Sequence, residues 1–370
     1  MKTGFSRDDT NIVKGVAIIS MMFHHCFVTN VKFAKYGVSF APFSQGRLIQ
    51  FALWAKVCVG IFVFLSAYGI TISLRKLYDG KKYNRENLSW MTVRRIWKIL
   101  TGFWPIYIIV IIGCKIWAPA SFAVYKSGIS RIIYILFDFF AVSEIFDTPK
   151  MIGTWWYLGL AFMEILVLPF LYAFYRRYGA FITITLSYFL PYVLGLSMTN
   201  FLRYLPTMVL GIWFAQDNLF PVIRRWELPK LGILITRIVE FIFLLAVILF
   251  SVWMKTSKFG KAHTNISDSI APMAVILFTY LFLSVVPIVR NILKVLGVYS
   301  MNIFLFHNFI RARWFEGFTY SFRYWWLITL VLLLDTFVFS VIVEVVKKYS
   351  GYERLVSYIE GRLQKMIMKK

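Results

Sequence analysis

Charge is scarce in this sequence, and most of it has one sign. Charged residues make up 16% of the chain, with 41 Lys and Arg against 17 Asp and Glu. Soluble globular domains carry about 25% charged residues, so this composition excludes an ordinary soluble surface. Hydrophobic residues reach 59% and the mean hydropathy is +0.69, which together predict a membrane protein with several spans.

Cysteine is rare as well. The three cysteines, Cys26, Cys58 and Cys114, each lie within an apolar run. Their number and positions exclude a disulfide framework, and they show none of the close spacings typical of metal ligands. We predict that they are small buried core residues and that the chain has no metal site.

A cleavable leader and a soluble domain are also lacking. The N-terminus shows no charged stub followed by a short apolar run and a small-residue cleavage site, so we expect the first helix to be retained. The net charge of +24 does not indicate a nucleic-acid partner, because the basic residues lie in short loops between apolar runs. Such a distribution is typical of membrane topology signals.

Ten apolar runs are candidates to cross a hydrocarbon core of about 30 Å as helices, and one of them, at 204–216, is too short unless it starts earlier. They cover residues 12–29, 49–74, 99–118, 152–174, 180–197, 204–216, 231–253, 270–289, 296–314 and 324–346. Most loop lysines and arginines fall in segments that are cytoplasmic if the chain starts inside. We therefore predict an all-α polytopic bundle of ten transmembrane helices with both termini cytoplasmic.

Residues 131–146 form an eleventh apolar stretch whose placement is ambiguous. It is short and carries Asp138 and Glu144. Letting it cross would place Arg176 and Arg177 outside and upset the charge pattern, so we predict that it lies on or dips into the outer face.

The chain divides into a membrane domain, residues 1–346, and a basic tail, residues 347–370. Apolar residues recur along the tail at helical spacing: Leu355, Tyr358, Ile359, Leu363, Met366 and Ile367. This pattern predicts an interfacial helix on the anionic inner leaflet.

Ionisable residues inside predicted spans are costly and therefore point to function or to pairing. Arg237 and Glu240 are three residues apart on one helix, so we expect them to pair with each other. Other ionisable residues have no partner on their own helix and must face one another or a wet cavity: Lys56, Glu164, His307 and Asp335.

The first predicted span carries a lysine and a histidine on one face. Lys14 and His25 are eleven residues apart, which leaves them about 20° apart around the helix and roughly 16 Å apart along it. His24 points about 100° away, and we expect it to be structural. A cation at the cytoplasmic mouth and an imidazole deeper along the same face suit a substrate with a phosphorylated tail and an inward reacting end.

Six stretches in order resemble the acyltransferase-3 family over roughly residues 8–346. The first is KGVAIISMMFHH, where Lys14, Gly15 and His25 occupy the family's basic, glycine and histidine positions. The others are VCVGIFVFLSAYGITI with Ser66 and Tyr68, VRRIWKIL with Arg94, Arg95 and Lys98, GTWWYLGLAFMEILVLPFLY with Trp156 and Pro169, YLPTMVLGIWFA, and VLGVYSMNIFLFHNFI with Gly297, Ser300 and His307.

The chain departs from the family pattern in places. Arginine is usual at Lys14, so the charge is kept without the bidentate fork. Ala67 stands where a glycine is usual, and Glu164 lies after the positions at which many members carry glutamate. No SGNH-type esterase domain follows the last helix, so we expect the membrane domain or a separate protein to complete the transfer.

The resemblance implies an O-acyltransferase of the cell (inner) membrane. It would move an acyl group, most commonly acetyl, from cytoplasmic acetyl-CoA to a hydroxyl of a cell-envelope glycan or its lipid-linked precursor. His25 would be the general base or a transient acyl carrier, and the sequence leaves both open. The lipid bilayer, acyl-CoA and the glycan are the expected partners, and a homo-oligomer is left open.

The resemblance also implies roles for the remaining motif residues. Lys14 with Arg94, Arg95 and Lys98 would hold the CoA phosphates, although basic residues after a span are also ordinary topology markers. His307 would orient the acceptor or donate its ring N–H to the thioester oxygen, or else be a buried structural histidine. Substrate contacts would come from Ser66, Tyr68, Trp156, Glu164 and Ser300, the two serines suiting helix packing equally well.

Two other classes remain as alternatives from the sequence. A secondary transporter or flippase for an envelope glycan precursor would line its path with charges and show internal repeats. A structural or sensory membrane subunit would need no buried titratable cluster. The acceptor sugar and hydroxyl, the acyl chain and the oligomeric state are not fixed by the sequence.

Overall fold

The computed structural model describes residues 4–125 and 127–368, which form helices and connecting turns with no strand. The helices are α1 (Arg7–Phe27), α2 (Phe33–Tyr36), α3 (Gln45–Trp54), α4 (Val57–Asp79), α5 (Arg85–Trp117), α6 (Ile129–Phe139), α7 (Trp156–Val193), α8 (Asn200–Gln216), α9 (Leu219–Arg225), α10 (Gly232–Thr256), α11 (Lys258–Ala262), α12 (Thr264–Leu281), α13 (Pro287–Val298), α14 (Ser300–Phe309), α15 (Glu316–Ser321), α16 (Trp325–Tyr349) and α17 (Tyr352–Ile367). Short 3-10 turns cover Pro119–Tyr125, Gly153–Trp155 and Leu283–Val285, and a π-helical turn covers Ile310–Trp314.

Six helical stretches are long and apolar enough to cross a membrane. They are Gln45–Asp79, Arg85–Trp117, Gly153–Val193, Gly232–Thr256, Thr264–Val285 and Trp325–Tyr349. Pro287–Val298 and Ser300–Trp314, bent by 71°, add a seventh if they cross together. The predicted all-helical, multi-pass fold is confirmed. Length and apolarity among the described residues support six or seven candidate spans, and the number ten stays a prediction.

The difference in span number has identifiable physical causes. α1 is 21 residues long, but Lys14, His24 and His25 lower its hydropathy. α8 is only 17 residues long, although it covers a predicted span. α7 contains two predicted spans and counts once, because its break is a single non-helical residue, Gly179, with φ of 79°.

The ambiguous run at residues 131–146 does not form a spanning helix. α6 has 11 residues, so it is about 16 Å long and too short to cross. Asp138 near its end is buried and accepts hydrogen bonds from the Tyr125 hydroxyl and, at 2.8 Å, from the Met151 amide. Burial raises the pKa of the Asp138 carboxyl to about 6, although these bonds and the Lys150 charge oppose the rise.

The start of α1 is fixed by a reciprocal cap. The Ser6 hydroxyl accepts the Asp9 amide at 3.1 Å, and the Asp9 carboxylate accepts the Ser6 amide at 2.8 Å. Such a capping box satisfies two backbone donors that would otherwise have no partner in the helix. The helix then continues unbroken to Phe27, so Lys14 and His25 remain on the one face that their spacing predicts.

The chain folds as two compact units. The first consists of Met1–Thr29, Pro42–Arg75 and Val167–Ser300. The second consists of Asn30–Ala41, Lys76–Leu166 and Met301–Lys370. The division cuts α4 and α7, so each unit is built from segments distant in sequence.

In the first unit, α1 packs against α13 through two glycines. A Cβ atom on Gly15 would overlap the backbone of Leu293, and one on Gly297 would overlap the backbone of Asn11. Small residues at such crossings let helix backbones approach closely, which is how membrane helices gain packing energy. The glycines of the first and last family-like motifs therefore meet in one helix pair.

In the second unit, the tail forms the predicted helix, α17, and contacts α5. The Tyr352 hydroxyl donates to the Thr101 carbonyl at 2.8 Å, and Arg94 pairs with Glu360 at 2.6 Å. None of the residues of α17 is buried. Its interfacial position on a membrane remains a prediction.

Two predictions about individual side chains are confirmed. Cys26, Cys58 and Cys114 are all buried, as predicted for small core residues. Arg237 and Glu240 form an ion pair within one helix.

Candidate active site

The candidate site is built on one face of α1. Lys14 and His25 are both half-buried, and the positive charge of Arg7 acts on Lys14. The rings of His24 and His25 meet edge to face with centroids 4.8 Å apart. This contact orients the His25 imidazole.

His24 joins the end of α1 to α3. Its Nδ1 lies 2.7 Å from the carbonyl oxygen of Ala52, which requires the proton on Nδ1 in the neutral ring. Trp54, two residues later, donates its indole N–H to the Ser251 hydroxyl of α10 at 2.7 Å. The histidine end of α1 is thus held by a chain of polar contacts through α3 to α10.

A cavity of about 570 Å³ opens beside the first turns of α1. Its charged lining consists of Asp8, Asp9, Arg224, Arg290 and Lys294. Lys294 pairs with Asp8 at 2.8 Å, and Arg224 lies 3.9 Å from the ring centroid of Tyr280. The basic side chains come from α9 and α13, which the sequence analysis did not single out. The only sequence signal was the pair Arg290 and Lys294, four residues apart and therefore on one helix face.

A second polar cluster lies at the other end of the first unit. Asp268 is buried, and its carboxylate bonds to both Arg203 and Lys255. The charges of Arg203, Lys255 and Asp268 all act on Lys56. Lys56 thus faces other ionisable groups, as its position inside an apolar run requires.

The serine and tyrosine residues proposed as substrate contacts sit in the packed part of the first unit. Tyr68 is 8% exposed and contacts the rings of Phe5, Phe64 and Phe220. Ser66 is half-buried. Ser300 is buried at the start of α14. Tyr68 therefore belongs to an aromatic core, which is a structural environment.

Ala67, which departs from the family's glycine, packs against a glycine on another helix. A Cβ atom on Gly211 of α8 would lie 2.7 Å from the Ala67 methyl group. The close approach of α4 and α8 is therefore kept by a glycine on the facing helix.

In the second unit, the predicted CoA-binding cations already have acidic neighbours. Arg94 is paired with Glu360, and the charge of Glu164 acts on Arg95. Glu164 is fully buried. Lys98 is exposed on the same face of α5 as Arg94, four residues away.

Of the two tryptophans in the GTWWYL motif, Trp155 is the buried one. Trp155 is 3% exposed and contacts Phe103, Tyr107 and Phe309, whereas Trp156 is half-buried at the start of α7. Two adjacent tryptophans cannot be told apart by composition, because only the path of the chain decides which side faces the core.

His307 is fully buried in the second unit. Its Nδ1 lies 2.6 Å from the Phe304 carbonyl oxygen, one turn earlier on the same helix. The proton of the neutral ring is therefore on Nδ1, and Nε2 is an acceptor. Oxyanion donation from Nε2 would require the imidazolium form, with a second proton on the ring, and the role of His307 stays a prediction.

The structure distributes the predicted site residues over both units. The first unit contains Lys14, His25, Ser66, Tyr68 and Ser300. The second contains Arg94, Arg95, Lys98, Trp156, Glu164 and His307. Within the described part of the chain, no group of three or more His, Cys, Asp or Glu residues is arranged to hold a metal ion.

Comparison with models of known families matches residues 8–345 to the acyltransferase-3 family, described as an acyltransferase domain. No curated protein and no solved structure matches this chain. The match starts in the first turn of α1 and ends in the last turns of α16, so it includes both units.

Proposed function

Since the chain belongs to the acyltransferase-3 family, we propose that it is a membrane O-acyltransferase. It transfers an acyl group, most commonly acetyl, from cytoplasmic acyl-CoA to a hydroxyl of a cell-envelope glycan or its lipid-linked precursor. The observation that carries this proposal is the α1 face, which holds a cation and an imidazole in register within a chain matched over residues 8–345. The same match favours acyl transfer over the transporter and the structural subunit.

The proposed topology has ten spans, both termini in the cytoplasm, and a place in the inner membrane. Its support is the excess of lysine and arginine in the segments that it places inside. α1 begins inside and carries His25 toward the outer side. Lys14 then lies nearer the cytoplasm than His25 by roughly 16 Å.

The donor would enter from the cytoplasmic start of α1. The cavity there offers Arg224, Arg290 and Lys294 to the phosphates of CoA, and Lys14 follows on the same helix. The pantetheine arm would extend along the α1 face toward His25. The predicted phosphate contacts from the sequence, Arg94, Arg95 and Lys98, remain part of the proposal. Arg94 and Arg95 would then interact with a phosphate while keeping their acidic neighbours, Glu360 and Glu164.

Acyl transfer at His25 would follow one of two routes. As a general base, the neutral imidazole takes the proton of the acceptor hydroxyl while its oxygen attacks the thioester carbonyl. The C–S bond then breaks, and the imidazolium gives its proton to the leaving thiolate to release CoA. As an acyl carrier, the ring nitrogen attacks the thioester carbonyl first, and the C–S bond breaks to give an acyl-imidazolium and the CoA thiolate. The hydroxyl then attacks the acyl carbon, the C–N bond breaks to restore the neutral ring, and the hydroxyl proton neutralises the thiolate.

Purified full-length protein in lipid nanodiscs tests the function. With labelled acetyl-CoA and envelope glycans, we expect label on the glycan and acceptor-dependent release of CoA. His25→Ala should lower the rate by about 10²- to 10⁴-fold, the usual contribution of general acid–base catalysis. His263→Ala is the matched control, because His263 contacts Tyr192 and Phe259 far along the chain from α1.

Two results would contradict the proposal. One is an equal transfer rate in wild type and His25→Ala. The other is no acceptor-dependent CoA release by wild type with any envelope glycan.

A further inference from the structure

The cluster around Asp268 has more positive than negative charge. Arg203 and Lys255 both bond to the Asp268 carboxylate, and the charges of all three act on Lys56, so these four side chains carry three positive charges and one negative charge. One cation would be enough to pair with a buried carboxylate and tie the helices together. Additional buried positive charge is costly in a low-dielectric region, so a purely structural role does not account for it.

The cluster is open enough to meet a ligand. The Arg203 side chain is 19% exposed and that of Lys255 is 13% exposed, while Asp268 beneath them is 6% exposed. Arg203 donates to Asp268 through Nε, and the same guanidinium plane carries four further N–H donors on its two terminal amino groups. The cluster can therefore offer an oxyanion both the planar guanidinium of Arg203 and the ammonium group of Lys255.

The cluster lies at the same end of the first unit as His25. α3 bonds to His24 through Ala52, and Lys56 follows four residues later. α10 receives the Trp54 bond at Ser251, and Lys255 follows one turn later, about 6 Å along the helix. Lys56 and Lys255 are thus each four residues from Ala52 and Ser251, the residues through which α3 and α10 are joined to the histidine end of α1.

We propose that Lys56, Arg203 and Lys255 bind an anionic group of the acceptor, a phosphate or a carboxylate, and so present a neighbouring hydroxyl to His25. This inference rests on the proposed function, and it specifies the acceptor as a negatively charged glycan or one still linked to its phosphate carrier. The proposed topology places Arg203, Lys255 and Asp268 on the outer side, where an envelope glycan is found. Asp268 positions two of the cations and keeps them from the lipid.

A binding experiment tests the site without requiring catalysis. Full-length protein in nanodiscs is heated with inorganic pyrophosphate or glucuronate, at low and at high salt. We expect at least one of the two anions to raise the melting temperature of wild type at low salt, and the more effective anion identifies the acceptor group. Lys56→Gln should lower the rise in melting temperature, the part that remains for pyrophosphate being due to binding at the α1 cavity, and Lys56→Arg should keep the full rise. Lys258→Gln is the control, because it removes one charge from an exposed position three residues after Lys255. This variant should keep the rise in melting temperature.

A transfer experiment connects the site to catalysis. We compare kcat/KM for an acceptor with an anionic group and for the same acceptor without it. Lys56→Gln should lower the ratio of the two values by roughly tenfold, the effect of losing one charge-assisted contact. Lys258→Gln should leave the ratio unchanged.

The outcomes separate failure of the site from failure of the function. Melting shifts that are absent in wild type, or equal in wild type and Lys56→Gln, would overturn the proposed site whatever the enzyme does. The wild type could also transfer no acyl group to either acceptor and still show the Lys56-dependent melting shift. That result would support the anion site and contradict the proposed transferase function.

Discussion

His25 and His307 are the two histidines that the sequence nominates for chemistry, and their surroundings differ. His25 is half-buried, shares a helix face with Lys14 and meets the edge of another imidazole. His307 is fully buried, and its Nδ1 is directed at a carbonyl oxygen of its own helix. A half-buried imidazole can exchange a proton with a substrate, whereas a buried one bonded to its own backbone is fixed in one tautomer. The comparison teaches that residue type nominates a catalytic group and local packing decides whether it is available.

The position of His25 depends on the packing of α1 against α13. We expect the largest loss of stability and activity from a substitution at this helix crossing. Gly15→Ala would push a methyl group into the Leu293 backbone, and overpacking of this kind costs about 1–3 kcal/mol. We expect a lower melting temperature and lower transfer activity. Gly69→Ala in α4 is the control, since its added methyl group meets nothing within 4 Å. Equal melting temperatures for the two variants would show that the α1–α13 crossing is not tight.

The second prediction concerns the cation that distinguishes the His25 helix. Lys14→Gln should raise KM for acetyl-CoA by roughly tenfold or more, because a hydrogen bond to a charged group contributes about 1.5–3 kcal/mol. Lys14→Arg should restore binding, since it keeps the charge and adds the fork usual in the family. Initial rates over a range of acetyl-CoA concentrations measure both. A loss of kcat at unchanged KM would instead give Lys14 a role in the transition state.

The third prediction separates two roles for His307. His307→Asn keeps a donor near the Nδ1 position and removes Nε2, whereas His307→Gln moves the polar group toward the Nε2 position. If His307 only supports its helix, the Asn variant should keep activity and the Gln variant should lose up to about 1–3 kcal/mol of stability as an unsatisfied buried group. If Asn loses activity at unchanged stability, Nε2 takes part in the reaction and the contrast with His25 is broken.

The smallest effect lies outside both histidine helices, at the buried carboxyl of Asp138. The pKa of buried Asp138 is raised to about 6, so the fold favours its protonated form. Its contribution to stability is present at low pH and is lost as pH rises through about 6. Lowering the pH from about 7.5 to about 5.5 should therefore raise the free energy of unfolding by about 1 kcal/mol.

Asp138→Asn should remove that dependence, because the amide oxygen still accepts from Met151 without titrating. Melting curves at several pH values measure it. A pH dependence retained in the variant would assign the effect to another group.

Several features of the fold were predictable because they depend on composition and period. The all-helical, multi-pass class follows from the hydropathy. The register of Lys14 with His25 follows from an unbroken α1, and the Arg237–Glu240 pair follows from a spacing of three. The six motif stretches gave the family, which the match over residues 8–345 supports.

Other features could not be predicted because they depend on distant parts of the chain. Lys56, Arg203, Lys255 and Asp268 are spread over four helical segments, and only packing makes them one cluster. The glycines of two separate motifs meet in one crossing for the same reason. The buried member of the Trp155–Trp156 pair is set by the path of the chain into α7.

The sequence by itself determined the class, the family and the residue types available for chemistry, because hydropathy and helical period act locally. The tertiary structure decided which of those residues are accessible, which cations are neutralised and which histidine has its tautomer fixed. Accessibility, charge balance and tautomer depend on neighbours from distant segments, and those neighbours exist only in the folded chain.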